Sequence, residues 1–152
     1  MTIPVRVLVA DDESAVREGL VALLALLPGI DVAGQASDGA SALTAVAAQQ
    51  PDVVLMDVRM PGLDGVAATQ RLARDHPGVA VVVLTSHASD ETALAALAAG
   101  ARGFLTKNAG RAQIAQAIHA AAAGLAPMDP RVQARLVTAA QVGQRRPSCL
   151  PA

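Results

Sequence analysis

Tryptophan and tyrosine are absent from the 152 residues, and Phe104 is the one aromatic side chain. The core must therefore be built from Val, Leu, Ile and Ala, with almost nothing to stack a flavin ring or a base. Cysteine is as scarce. Cys149 stands alone near the C-terminus, so no internal disulfide can form and the fold owes nothing to oxidation. The start, MTIPVRVLVADDE, lacks the charged, apolar and small-residue regions of a secretory signal. No apolar run is long enough to cross a bilayer, so a cytoplasmic protein without a membrane partner is expected. Lysine is nearly missing too: of 12 basic residues, Lys107 is the single lysine.

What is present is aliphatic. Hydrophobic residues make up 53% of a chain whose length suits one domain with a short appendage. Charge is unevenly spread. Residues 1–130 carry a net −5, whereas residues 131–152 carry +4, from Arg131, Arg135, Arg145 and Arg146. A solvated, flexible end explains the basic tail, and contact with an acidic partner or nucleic acid is the sharper reading.

Short β-branched runs alternate with longer helical patterns. Residues 3–10, 31–36, 53–56, 79–84 and 102–106 read as strands. Helices are predicted near 14–27, 39–49, 65–75, 91–99 and 111–123. In the first, Val16, Leu20, Leu23, Leu24 and Leu27 recur at helical spacing. Five strand–helix units predict an α/β fold: a doubly wound, mostly parallel five-stranded sheet with helices on both faces. After Gly124 the pattern changes. Residues 1–124 are expected to form the domain, and 125–152 a linker or tail with a possible short helix over 130–140 and a disordered end.

In an open parallel sheet, ligands bind outside the carboxyl ends of the strands. Those ends carry a suggestive set of residues. Asp11 and Asp12 follow the first strand, Asp57 the third, Thr85 and Ser86 the fourth, and Lys107 the fifth. Singly, each is an ordinary turn or cap residue. Together they supply what phosphoryl chemistry needs. Three carboxylates in one crevice repel, and a hard divalent cation such as magnesium removes the conflict while keeping sites for water and phosphate. The Lys107 ammonium acts as a point charge on a carboxylate or phosphate, and the Thr85 hydroxyl can donate to a phosphate oxygen.

The segments VLVADDES (7–14), VVLMDVRMPGLDG (53–65), VVVLTSH (81–87) and GARGFLTKNA (100–109) resemble the receiver domain of bacterial two-component response regulators. The resemblance covers about residues 3–124. Lys107-Asn108, where Lys-Pro is common, is closer to the subgroup with a LuxR-type helix-turn-helix output (NarL/FixJ-like). The resemblance implies a flavodoxin-like strand order, 2-1-3-4-5, for which such a receiver is itself a standard example. It implies that Asp57 accepts a phosphoryl group from a sensor histidine kinase. Asp11, Asp12, Asp57 and the Arg59 backbone carbonyl would hold Mg2+, and Thr85, Ser86 and Lys107 would hold the phosphoryl oxygens. Thr85 and Phe104 match the switch positions. Arg59 and His87 are candidate modulators of phosphoryl lifetime.

On this reading the protein is a regulatory phosphoacceptor rather than an enzyme in the ordinary sense. It would dimerise on phosphorylation through the fourth helix, fifth strand and fifth helix. It would reach DNA only through an output domain that this chain does not contain. Two alternatives stay open: a Mg2+-dependent phosphohydrolase working through an aspartyl phosphate, and a stand-alone phosphorelay receiver. A nucleotide- or flavin-binding module fits less well, because ADDESAV stands where a glycine-rich phosphate loop would be.

Overall fold

The computed structural model describes residues 3–85 and 90–125. Five strands, β1 (Val5–Ala10), β2 (Ile30–Ala36), β3 (Val53–Asp57), β4 (Ala80–Thr85) and β5 (Gly103–Thr106), alternate with five helices. The helices are α1 (Ser14–Ala25), α2 (Gly39–Gln49), α3 (Gly65–Asp75), α4 (Asp90–Ala98) and α5 (Arg111–Ala122). All strand pairs are parallel, in the order β2-β1-β3-β4-β5. This is the expected doubly wound architecture, with boundaries displaced by at most two residues and those of α2 and α3 as expected. β1 starts only at Val5, because Pro4 has no N–H to give to a ladder. The short helix expected over 130–140, together with Ser86 and His87, lies outside the described residues.

The central strands read as continuous apolar runs because both of their faces are covered. One face carries Leu8, Ala10, Val54, Met56, Val81, Val83 and Phe104, packed under α2, α3 and α4. The other carries Val7, Val9, Val53, Leu55, Val82, Leu84 and Leu105, packed under α1 and α5. Fully burying each such side chain contributes about 1.5–3 kcal/mol, which is how a core with a single aromatic holds together. Alternation along β1, β3, β4 and β5 sets a phase that carries to the strand ends.

The expected apolar stripe of α1 is only partly buried. Leu24 is its one fully buried residue, while Leu20, Val21 and Leu23 pack at the margin of the core. α1 lies over β1 and the edge strand β2. Glu13 occupies the N-cap position of α1: its carbonyl accepts from the Arg17 N–H at 2.9 Å, but its side chain makes no cap bond. α2 and α3 are capped in the ordinary way. Asp38 accepts from Ser41 N–H at 2.7 Å, and Asp64 accepts from Ala67 N–H at 2.8 Å. The carboxylate beyond β2 is thus consumed as a helix cap.

Candidate functional site

Phase and register together assemble the site. Val9 pairs with Leu55 and Ala10 with Met56, so one step further Asp11 stands beside Asp57. Asp11 continues the phase of Val7 and Val9, and Asp57 that of Val53 and Leu55. Lys107 follows Leu105 in the same phase and is tied in by its N–H, which donates to the Thr85 carbonyl at 2.7 Å. Carboxylate oxygens of Asp11, Asp12 and Asp57 lie within 4.8 Å of one another. Lys107 Nζ stands 2.9 Å from Asp11 Oδ2 and 3.4 Å from Asp57 Oδ2. Asp11 and Asp57 are 1% and 5% exposed, whereas Asp12 opens to solvent.

Three acids against one ammonium leave the crevice with excess negative charge. Burial pushes the Asp57 carboxyl up to about 6, and the neighbouring Asp11 charge pushes the same way. Lys107 and a long bond from the Arg59 N–H, 3.4 Å from Asp57 Oδ1, only partly oppose them. For Lys107, burial works to lower the ammonium's pKa, but the bond to Asp11 and the charges of both acids outweigh it, and the net shift is upward. Asp11 Oδ2 is buried and meets the Lys107 ammonium at 2.9 Å, which leaves it lone-pair capacity for a further partner. Hard oxygen donors, net negative charge and a buried carboxylate oxygen with lone-pair capacity left are what Mg2+ requires, and the residues fit it.

The loop after β3 closes on the site through glycines. A Cβ on Gly65 would stand 2.0 Å from the Asp57 carbonyl oxygen, and one on Gly39 would stand 2.1 Å from that of Leu63. Gly62 turns the loop at φ +72°. α3 can start against β3 only because Gly65 carries no side chain. The close approach at Gly39 left no sign in the sequence.

The other expected positions fall as follows. Thr85 ends β4, is 6% exposed, and shares the phase of Val83 and Phe104, opposite to that of Asp57. Phe104 is fully buried under α4 and its neighbours. Arg59 is exposed beside Asp57. Sequence reasoning missed Arg17, whose Nη1 donates to the Asp11 carbonyl at 2.7 Å.

The chain is similar to known proteins in sequence and in fold. The family model of the response regulator receiver domain matches residues 7–119. The chain belongs to the response regulator receiver domain family. It is 43% identical over 132 residues to the response regulator GacA of Pseudomonas viridiflava, covering 87% of this chain and 62% of that protein. It is 38% identical over 134 residues to the transcriptional regulatory protein LiaR of Bacillus subtilis, covering 88% of this chain and 64% of that protein. The receiver chain thus spans under two thirds of the length of these relatives. Among solved structures it resembles a LuxR-family two-component response regulator from Aurantimonas sp. SI85-9A1. That match has a TM-score of 0.84 at 32% identity and covers 89% of this chain and 96% of the other. The receiver domain of a NarL regulator from Mycobacterium tuberculosis gives a TM-score of 0.77 at 39% identity, over 80% and 98% of the two chains.

Proposed function

We propose that this receiver domain takes a phosphoryl group onto Asp57 from a phosphohistidine of a sensor kinase and relays the signal through a change of surface. The observation that carries the reading is the convergence of Asp11, Asp12 and Asp57 within 4.8 Å, with the Lys107 ammonium on two of them. An Asp57 carboxylate oxygen attacks phosphorus, the bond from phosphorus to the donor nitrogen breaks, and an acyl phosphate is left on Asp57. Positioning and charge neutralisation carry such transfers. Asp11, Asp12, Asp57 and the Arg59 carbonyl would hold Mg2+, which would supply the charge that lets the incoming oxygens share a crevice with three acids. Lys107 supplies a fixed cation to the same oxygens.

Thr85, with Ser86 beside it, donates to the phosphoryl group. Phe104 shares a sheet face with Thr85, and its repacking passes the change to α4, β5 and α5, where a second copy docks. Residues 125–152 then act as linker, and DNA is reached only through an output domain. Arg59 and His87 set how long the acyl phosphate lasts. Incubation with acetyl phosphate and Mg2+ should yield one phosphoryl adduct by intact mass, and EDTA should prevent it. Steady turnover of a generic phosphomonoester would favour a phosphohydrolase instead.

A further inference from the structure

Asp11 is held from four directions, and the fourth has no place in the site described so far. Its N–H donates to the Ala36 carbonyl at 3.0 Å. Its Oδ1 accepts from the Glu13 N–H at 2.9 Å, and its Oδ2 faces Lys107. Its main-chain carbonyl accepts from Arg17 Nη1 at 2.7 Å. Arg17 sits in the first turn of α1, where its own N–H donates to the Glu13 carbonyl. The other edge of its guanidinium, Nε, donates to Gln35 Oε1 on β2 at 3.3 Å.

Gln35 reaches Arg17 because of a slip in the sheet. Val7 pairs with Val32 but Leu8 pairs with Gly34, so Ala33 is an extra residue without a partner. Beyond it Gln35 pairs with Val9, whose phase faces α1 and α5. Without the extra residue Gln35 would align with Ala10 and turn to the opposite face. An irregularity that re-aims a side chain beside a site is a recurrent use of bulges.

We propose that Arg17, anchored by Gln35, is a positioning residue that fixes the peptide joining Asp11 to Asp12 and so presents the Asp12 carboxylate to a divalent cation. The inference rests on the metal reading above. Asp12 is the exposed member of the cluster, so its placement depends on the backbone that carries it. The planar guanidinium, donating from two edges to a carbonyl and an amide oxygen, suits this task better than an ammonium. Two effects of Arg17 on cation binding have opposite signs. As a nearby positive charge it repels a cation, so its neutralisation would tighten binding. As a clamp on the Asp11 carbonyl it preorganises a ligand, so its removal weakens binding.

The sign of the change therefore decides the matter. Mg2+ is titrated into the full chain and followed by amide shifts, with wild type, Arg17→Gln, Arg17→Lys and Gln35→Ala compared. Arg17→Gln should weaken the Mg2+ midpoint by roughly tenfold, the low end for partners that orient metal ligands. Arg17→Lys should fall between, and Gln35→Ala, which leaves the charge untouched, should shift the same way by less. In EDTA, amide exchange at Asp12 should quicken in Arg17→Gln. Phosphorylation by acetyl phosphate should slow at low Mg2+ and recover at saturation. An unchanged or tighter midpoint in Arg17→Gln overturns the positioning role. If Arg17→Gln does not fold, an unshifted Gln35→Ala overturns it. No Mg2+ response in wild type overturns the metal reading itself, and the positioning role falls with it.

Discussion

Replacing Asp57 by asparagine should stabilise the metal-free protein. Asn keeps the shape and removes the charge that burial and Asp11 disfavour, while Lys107 keeps Asp11 as its partner. The wild-type carboxyl moves from 3.8 to about 6 on folding. A raised carboxyl pKa means that the folded state holds the extra proton, so stability is fullest below about pH 4 and is lost as pH rises through 6. Two pKa units correspond to about 3 kcal/mol at full value. The crevice opens to solvent at Asp12, so we discount this to roughly 1–2 kcal/mol. Asp57→Asn should therefore raise stability at pH 7.5 by that amount, or about 2–8 °C in Tm, given about 2–4 °C per kcal/mol for a chain of this size. At pH 4 the gain should shrink to about 0.5 kcal/mol or less. Without tryptophan or tyrosine the assay must be circular dichroism in urea, with EDTA present. Adding Mg2+ should stabilise wild type by mass action and the variant far less. A variant less stable than wild type in EDTA, or a gain equal at both pH values, would refute the reasoning.

Lys107→Ala leaves Asp11 and Asp57 facing each other without their cation; stability at pH 7.5 should drop by about 2 kcal/mol in EDTA, less than for a fully enclosed pair, and Mg2+ should restore part of it. Gly65→Ala puts a methyl group against the Asp57 carbonyl, which cannot yield as a flexible side chain would. We expect a loss of about 3 kcal/mol in urea unfolding together with slower phosphorylation by acetyl phosphate. Thr85→Ala should still accept a phosphoryl group but lose most of the self-association that beryllofluoride and Mg2+ induce in wild type. Equal dimerisation of the two in sedimentation would remove the coupling of Thr85 to Phe104.

The fold was largely legible because the strands announce themselves. Val53 to Met56 is an unbroken apolar run of the kind that only a doubly covered strand tolerates, and the first helix shows the 3.6-residue period in Val16, Leu20, Leu23, Leu24 and Leu27. The site was legible for a related reason. Parallel strands deliver all their carboxyl ends to one edge, so Asp11, Asp57 and Lys107 had to share it once the order was known. Less visible were features that depend on contacts between elements. The slip at Ala33 lies within IDVAGQA, which reads as an ordinary strand, and without it the link from Gln35 to Arg17 has no basis. The shallow seat of α1 was hidden too, because periodicity shows which face is apolar but not how deeply that face is buried. Asp57 ends its strand and Asp38 follows one, and the observed bond from the Ser41 N–H shows Asp38 to be a helix cap.

The central claim is that Asp57, and no other residue, carries the phosphoryl group. An acyl phosphate is reduced by borohydride to an alcohol, which turns the modified aspartate into homoserine. After treatment with acetyl phosphate and Mg2+, then borohydride, peptide mapping should find homoserine at position 57 alone, and none when EDTA replaces Mg2+. Homoserine at position 11 or 12, or an undiminished phosphoryl adduct on Asp57→Asn, would contradict the account.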